Sequence, residues 1–144
     1  ALLSLRLEKG FGIWSAEFTQ GYTPGMTGMD RWIDWQKEKF IGQAAAIKER
    51  DGNGPAQKLV MLEIDADDAD ASGYEPVWNN DNLVGFVTSG GYGHTLKKSL
   101  AMALVNNDLA NENQRLKVHV VGIEKDAKVI QASPYDPKGS VMRV

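Results

Sequence analysis

The chain has 144 residues, 42% hydrophobic and 24% charged, which fits one globular domain that buries its core without metal or disulfide staples. Sixteen Lys and Arg against nineteen Asp and Glu give a formal charge of −3, the wrong sign for a surface that grips phosphate backbones, so nucleic acid is not an expected partner. The absence of cysteine excludes thiolate zinc sites, iron–sulfur clusters, disulfides and cysteine nucleophiles. No membrane partner is expected either: the longest apolar run, residues 100–105, is far shorter than the roughly 20 residues a helix needs to cross a bilayer.

The first residues carry Leu2, Leu3, Leu5 and Leu7 with no polar lead-in and no secretory pattern, as expected of a segment cut from a longer protein. Leu3, Leu5 and Leu7 alternate as in a strand, while the Leu2/Leu5 and Leu3/Leu7 spacings suit a helix face, so periodicity leaves residues 1–9 open between the two. Gly10, Gly12, Gly21, Pro24, Gly25 and Gly28 then predict loops and short extended pieces up to Met29. Residues 40–50 are helix-forming and stop at Asp51-Gly52-Asn53-Gly54-Pro55.

Beyond Pro55 the pattern changes to short runs of strand length separated by turn residues. Residues 58–65 form the first predicted strand, with Val60, Leu62 and Ile64 on one face. Residues 74–78 and 83–89 are expected to pair as a hairpin across Asn79-Asn80-Asp81-Asn82, whose side chains tolerate left-handed backbone. Residues 100–105 follow; then 115–121 alternates, with Leu116, Val118 and Val120 opposite Lys117 and His119. A last strand is expected over 128–132, across a turn at 122–127. Because closure removes exposed strand edges, the expected fold is mainly β, a small six-stranded Greek-key-type barrel behind a helical and loop segment. The expected division is 1–55 for the linker and helix region and 56–144 for the barrel domain.

Residue chemistry alone names no reaction. His94 and His119 have no second ligand at helical spacing, and His119 occupies an outward position of an alternating strand. The run Asp65, Asp67, Asp68, Asp70 lacks the mid-loop glycine and closing glutamate of a calcium loop, since the sixth and twelfth positions are Asp70 and Pro76; a solvated loop accounts for it. Ser89-Gly90-Gly91-Tyr92-Gly93-His94 fails the dinucleotide fingerprint at Leu96, so its glycines are expected to serve a sharp turn or a close backbone approach. No G-x-S-x-G elbow is present.

Several motifs nevertheless stand in register. Leu5-Arg6-Leu7-Glu8-Lys9-Gly10 resembles the LRLE-x-G signature of the aminomethyltransferases, the T-protein of the glycine cleavage system and its relatives. Thr23-Pro24 with Gly28-Met29, Phe40-Ile41-Gly42, Gly85-Phe86-Val87-Thr88-Ser89-Gly90 and Lys98-Ser99-Leu100-Ala101 continue the resemblance in order. Within that family, Pro76-Val77-Trp78, Gly90-Gly91-Tyr92-Gly93-His94 and Pro134-Tyr135-Asp136-Pro137 look most like the dimethylglycine and sarcosine dehydrogenases, in which an FAD-dependent amine oxidase region precedes an aminomethyltransferase-like region that binds tetrahydrofolate.

The resemblance implies that this chain is the end of the second region, a barrel that closes a folate pocket while FAD and the upstream folate-binding domains of the same chain lie before Ala1. In such proteins the flavin oxidises an N-methyl group of a small amine and folate captures the one-carbon unit. The isolated segment is therefore expected to be inactive. The location implied is the cytoplasm, or the mitochondrial matrix for a eukaryotic source. Arg6 matches the arginine that helps hold the folate, and a guanidinium fork suits polar or anionic folate oxygens with charge-assisted bonds worth about 1.5–3 kcal/mol. A structural ion pair of Arg6 with Glu8 or Glu17 is the alternative. Trp14 stands where the family carries a tyrosine, as a pocket wall or an aromatic buried in a domain interface. Ser140 replaces a further folate-contacting tyrosine of the T-proteins, and Tyr92 and His94 are assigned to shaping a loop. The competing readings are a non-catalytic scaffold barrel and a stand-alone glycine-cleavage aminomethyltransferase.

Overall fold

A computed structural model describes residues 1–143. Six strands, β1 (Gln57–Ile64), β2 (Pro76–Asn79), β3 (Asn82–Gly93), β4 (Lys98–Asn106), β5 (Arg115–Val120) and β6 (Ile123–Ile130), close into an antiparallel barrel in the spatial order β1-β4-β3-β2-β5-β6. The β2-β3-β4 meander with β1 returned beside β4 is a Greek key, so the expected fold is the one found.

Alternation explains which side chains fill the barrel. Val60, Leu62 and Ile64 of β1 meet Leu116, Val118 and Val120 of β5 in one buried cluster, together with Val77, Val87, Ala101, Ala103, Val105 and Val129. Strand β4 has no polar face because both its sides are covered: Ala101, Ala103 and Val105 point into the barrel, while Leu100 and Met102 pack outside it with Leu7 and Met61. That second, smaller cluster seats the N-terminal helix on the barrel wall.

Residues 1–9, open between strand and helix on periodicity, form helix α1 (Leu2–Lys9). Gly10 ends it in the left-handed region at φ 75°, and a Cβ there would lie 2.0 Å from the Ala132 carbonyl oxygen, so the stop and the close approach both demand glycine. Where loops were expected, Thr23 caps a one-turn helix α2 (Pro24–Thr27), accepting the Met26 N–H at 3.2 Å. Helix α3 (Gln43–Asp51) starts three residues later than the predicted helical run, after Gly42 at φ 84°, and ends one residue beyond it.

Two strand boundaries differ from expectation by more than two residues. Strand β3 runs on through Ser89, Gly90 and Gly91 to Gly93, so these residues shape a strand rather than a loop. The close-approach reading holds: a Cβ on Gly90 would sit 2.2 Å from the Ala71 carbonyl oxygen. Strand β6 begins at Ile123 because the chain reverses across Val121-Gly122, where both residues take positive φ, 51° and 80°. The charged stretch Glu124, Lys125, Asp126 that reads as a turn is drawn into the sheet by its pairing with β5, where Lys117 bonds Glu124.

Candidate functional site

The candidate site lies where α1, the loop after it and the outer faces of β3 and β4 converge. Helix α1 buries an unusual face. Leu7 and Glu8 are buried and the Ser4 hydroxyl donates to the Tyr92 carbonyl at 2.6 Å, whereas Leu2, Leu3 and Leu5 are 77%, 64% and 56% exposed. Three of the four leucines of this helix therefore face away from the barrel, while Leu7 and a glutamate face in.

Glu8 is fully satisfied. Its Oε1 accepts the Thr95 and Leu96 N–H groups at 2.7 and 2.8 Å, its Oε2 accepts the Thr95 hydroxyl at 2.8 Å, and its own carbonyl accepts the Tyr135 N–H at 2.9 Å. The β3–β4 connection and the C-terminal segment are thereby pinned to one turn of α1. Lys9 adds a contact to Asp136, with Nζ 3.3 Å from Oδ2.

Arg6, one helical position to the side, is turned toward the loop. Its side chain is only 10% exposed and its Nη1 lies 3.6 Å from Oε2 of Glu17, a carboxylate with no exposed surface. Glu17 also accepts the Ile13 N–H at 2.6 Å and the Ser89 hydroxyl. Nη1 of Arg6 reaches the Phe11 carbonyl at 3.4 Å, while its Nε is buried without a partner. Burial pulls the guanidinium below its ordinary pKa and Glu17 pulls it back. Of the two ion-pair partners considered from sequence, the structure brings Glu17 to Arg6 and gives Glu8 to the hairpin.

Trp14 is 79% exposed and lines neither the cleft beside the 65–70 loop nor the one beside Tyr74 and Phe86. Ser140 donates its N–H to Asp136 Oδ1 at 2.7 Å in the C-terminal segment. The His94 ring lies edge-on to Tyr92 at 5.1 Å, and His119 stacks on Trp78 at 5.4 Å. A polar cleft of about 670 Å³ opens at one barrel mouth between the 65–70 loop, Lys97, Lys98 and Arg115; Arg6 and Trp14 do not line it. Among the described residues no group of three or more His, Asp or Glu is placed to hold a metal, and no helix is long and apolar enough to cross a membrane.

The roles of Glu8 and Ser89 were not legible beforehand. The one signal for Glu8 was an acid set directly after Leu7 in an apolar helix; for Ser89 there was none, since its partner is distant in the chain.

Residues 57–136, more than half of the chain, match the family model of the glycine cleavage T-protein C-terminal barrel domain. The chain belongs to this family. It is 35% identical to the mitochondrial dimethylglycine dehydrogenase of Rattus norvegicus over 91% of its length, and 36% identical to that of Homo sapiens over the same share. It is also 35% identical to the aminomethyltransferase of Synechocystis sp. over 92% of its length. It spans only 15% of the two dehydrogenases and 35% of that aminomethyltransferase. The fold is shared with the crystal structure of glycine cleavage system aminomethyltransferase T from Bartonella henselae, at a TM-score of 0.84 and 24% identity, covering 94% of this chain and 38% of that one. The aminomethyltransferase-type barrel domain recognised from the motifs is thus the one present.

Proposed function

We propose that this domain closes a tetrahydrofolate pocket in a flavin-linked demethylating dehydrogenase of the dimethylglycine or sarcosine type, with FAD and most of the folate site on upstream domains of the same chain. The observation that carries the reading is Arg6: a guanidinium nine-tenths buried, anchored at one end by Glu17 and retaining an unpartnered buried Nε. Buried donors without a partner are costly, so an acceptor from outside these residues fits this place. Folate oxygens have that chemistry, and when bound tetrahydrofolate supplies the nitrogens that take up a one-carbon unit. Here Arg6 would bind and orient it, and Trp14 would stand at the pocket's edge.

The exposed leucines of α1 and Trp14 support the second half of the reading. Three large leucines on one short helix and a tryptophan in the loop after it are left exposed, as surface that a neighbouring domain would cover, and the relatives extend well beyond the matched length. The substrate would be a small N-methylated amine bound upstream, and the isolated chain would not turn over. The mitochondrial names of the dehydrogenases support the matrix as its place in a eukaryotic source.

Calorimetric titration of tetrahydrofolate into the complete protein and into this chain tests the proposal. Binding to the complete protein alone, weakened about tenfold by Arg6→Ala, is the expected result. No binding to either, or an unchanged affinity in the variant, overturns it. A second reading, a stand-alone aminomethyltransferase, is favoured by the equal identity to the Synechocystis protein; a complete protein without flavin absorbance would select it.

A further inference from the structure

The Arg6 site contains a second ionisable group that the folate reading leaves without a role. Glu17 comes from the loop after α1, Ser89 from β3 and Arg6 from α1, so three separate segments converge on one carboxylate. Each Glu17 oxygen is engaged: Oε1 by the Ser89 hydroxyl, Oε2 by the Ile13 N–H at 2.6 Å and by Nη1 of Arg6 at 3.6 Å. A carboxylate held by a backbone N–H and a strand hydroxyl cannot swing with the arginine; the arginine must orient to it. A long, four-torsion side chain otherwise spreads over many rotamers, and that freedom is lost each time it binds.

We infer that Glu17, locked in place by Ser89, is a positioning residue that pre-orients the Arg6 guanidinium, so that its unpartnered Nε edge is presented to an oxygen acceptor of the bound ligand. The inference rests on the reading that Arg6 meets the folate. The Glu17 contact, like that to Met102 Sδ at 3.7 Å, is made through Nη1 and leaves the buried Nε without a partner. The Phe11 carbonyl, 3.4 Å from the same Nη1, reinforces that orientation. The loop from Phe11 to Glu17 is thereby a bracket for Arg6. Its tight course is required locally, since a Cβ on Gly12 would lie 2.7 Å from the Phe18 ring.

The test is a double-mutant cycle on tetrahydrofolate affinity in the complete protein, with thermal unfolding measured for each variant. Arg6→Ala and Glu17→Ala are each expected to weaken binding about tenfold, and Ser89→Ala, which touches Glu17 and not Arg6, about threefold. The decisive expectation is non-additivity: with Arg6 already alanine, neither Glu17→Ala nor Ser89→Ala weakens binding further. A merely structural Glu17 would lower the melting temperature and weaken binding by the same factor with or without Arg6; that additive result, or an unchanged affinity in Glu17→Ala and Ser89→Ala while Arg6→Ala is impaired, overturns the positioning role alone. If Glu17→Ala does not fold, Ser89→Ala and Glu17→Gln carry the same cycle. An unchanged affinity in Arg6→Ala overturns the folate reading itself, and with it this one.

Discussion

Replacing Glu8 separates a buried acceptor from a merely buried side chain. Its carboxylate takes three bonds from the β3–β4 connection, at 2.7, 2.8 and 2.8 Å, and is 1% exposed. Bonds to a charged acceptor contribute about 1.5–3 kcal/mol each in isolation, but three on one group are not additive, and Glu8→Ala is expected to destabilise the chain by about 3 kcal/mol. Glu8→Gln is nearly isosteric. Its amide oxygen can keep both backbone donors, and its NH2 would face the Thr95 hydroxyl, which can rotate to accept. The cost then falls to about 1 kcal/mol, the loss of charge assistance. Urea denaturation of the chain followed by tryptophan fluorescence gives both values, and hydrogen exchange of the α1 amides shows whether the helix detaches before the barrel melts. A loss below about 1 kcal/mol in Glu8→Ala, or equal losses in Ala and Gln, would refute the view that these bonds seat α1.

Other outcomes follow from single positions. Val121 is a β-branched residue at φ 51° in the two-residue β5–β6 turn, so Val121→Asn is expected to stabilise by about 1 kcal/mol and raise the melting temperature by about 3 °C in calorimetry. Gly90→Ala would press a methyl against the Ala71 carbonyl at 2.2 Å and is expected to cost about 3 kcal/mol in the same denaturation assay. The isolated chain is expected to self-associate through the α1 leucines; light scattering should show mass rising with concentration, and Leu2→Lys with Leu5→Glu should abolish the rise. The Asp136 carboxyl feels partial desolvation, which raises its pKa, but bonds from the Ser140 N–H, Lys9 and the Val141 N–H outweigh it and hold the group below its ordinary 3.8. A lowered folded value favours the folded state above 3.8 and loses that contribution as pH falls through the lower value, so C-terminal amide protection should decline only under strong acid.

Most of the barrel was legible because period-2 patterning is a local property: the inward residues of β5 alternate with Lys117 and His119, those of β1 recur at every second position, and a side chain's face follows from its position alone. The family motifs were legible for a similar reason, since Leu5-Arg6-Leu7-Glu8 and the Gly85–Gly90 run are contiguous. What the linear pattern left open was decided by contacts between distant segments. Whether residues 1–9 coil into a helix depended on Leu7 and Glu8 finding the β3–β4 wall, because the outward leucines fit either period. The extent of β6 was set by register with β5, which overrides the weak strand propensity of Glu124, Lys125 and Asp126. The composition, the alternation and the Arg6-bearing motif were determined by the sequence itself. That Arg6 meets Glu17 and Glu8 meets Thr95 was decided only by the tertiary structure, because a buried charge takes whichever counter-group the packed backbone delivers to it, and sequence spacing does not encode that delivery.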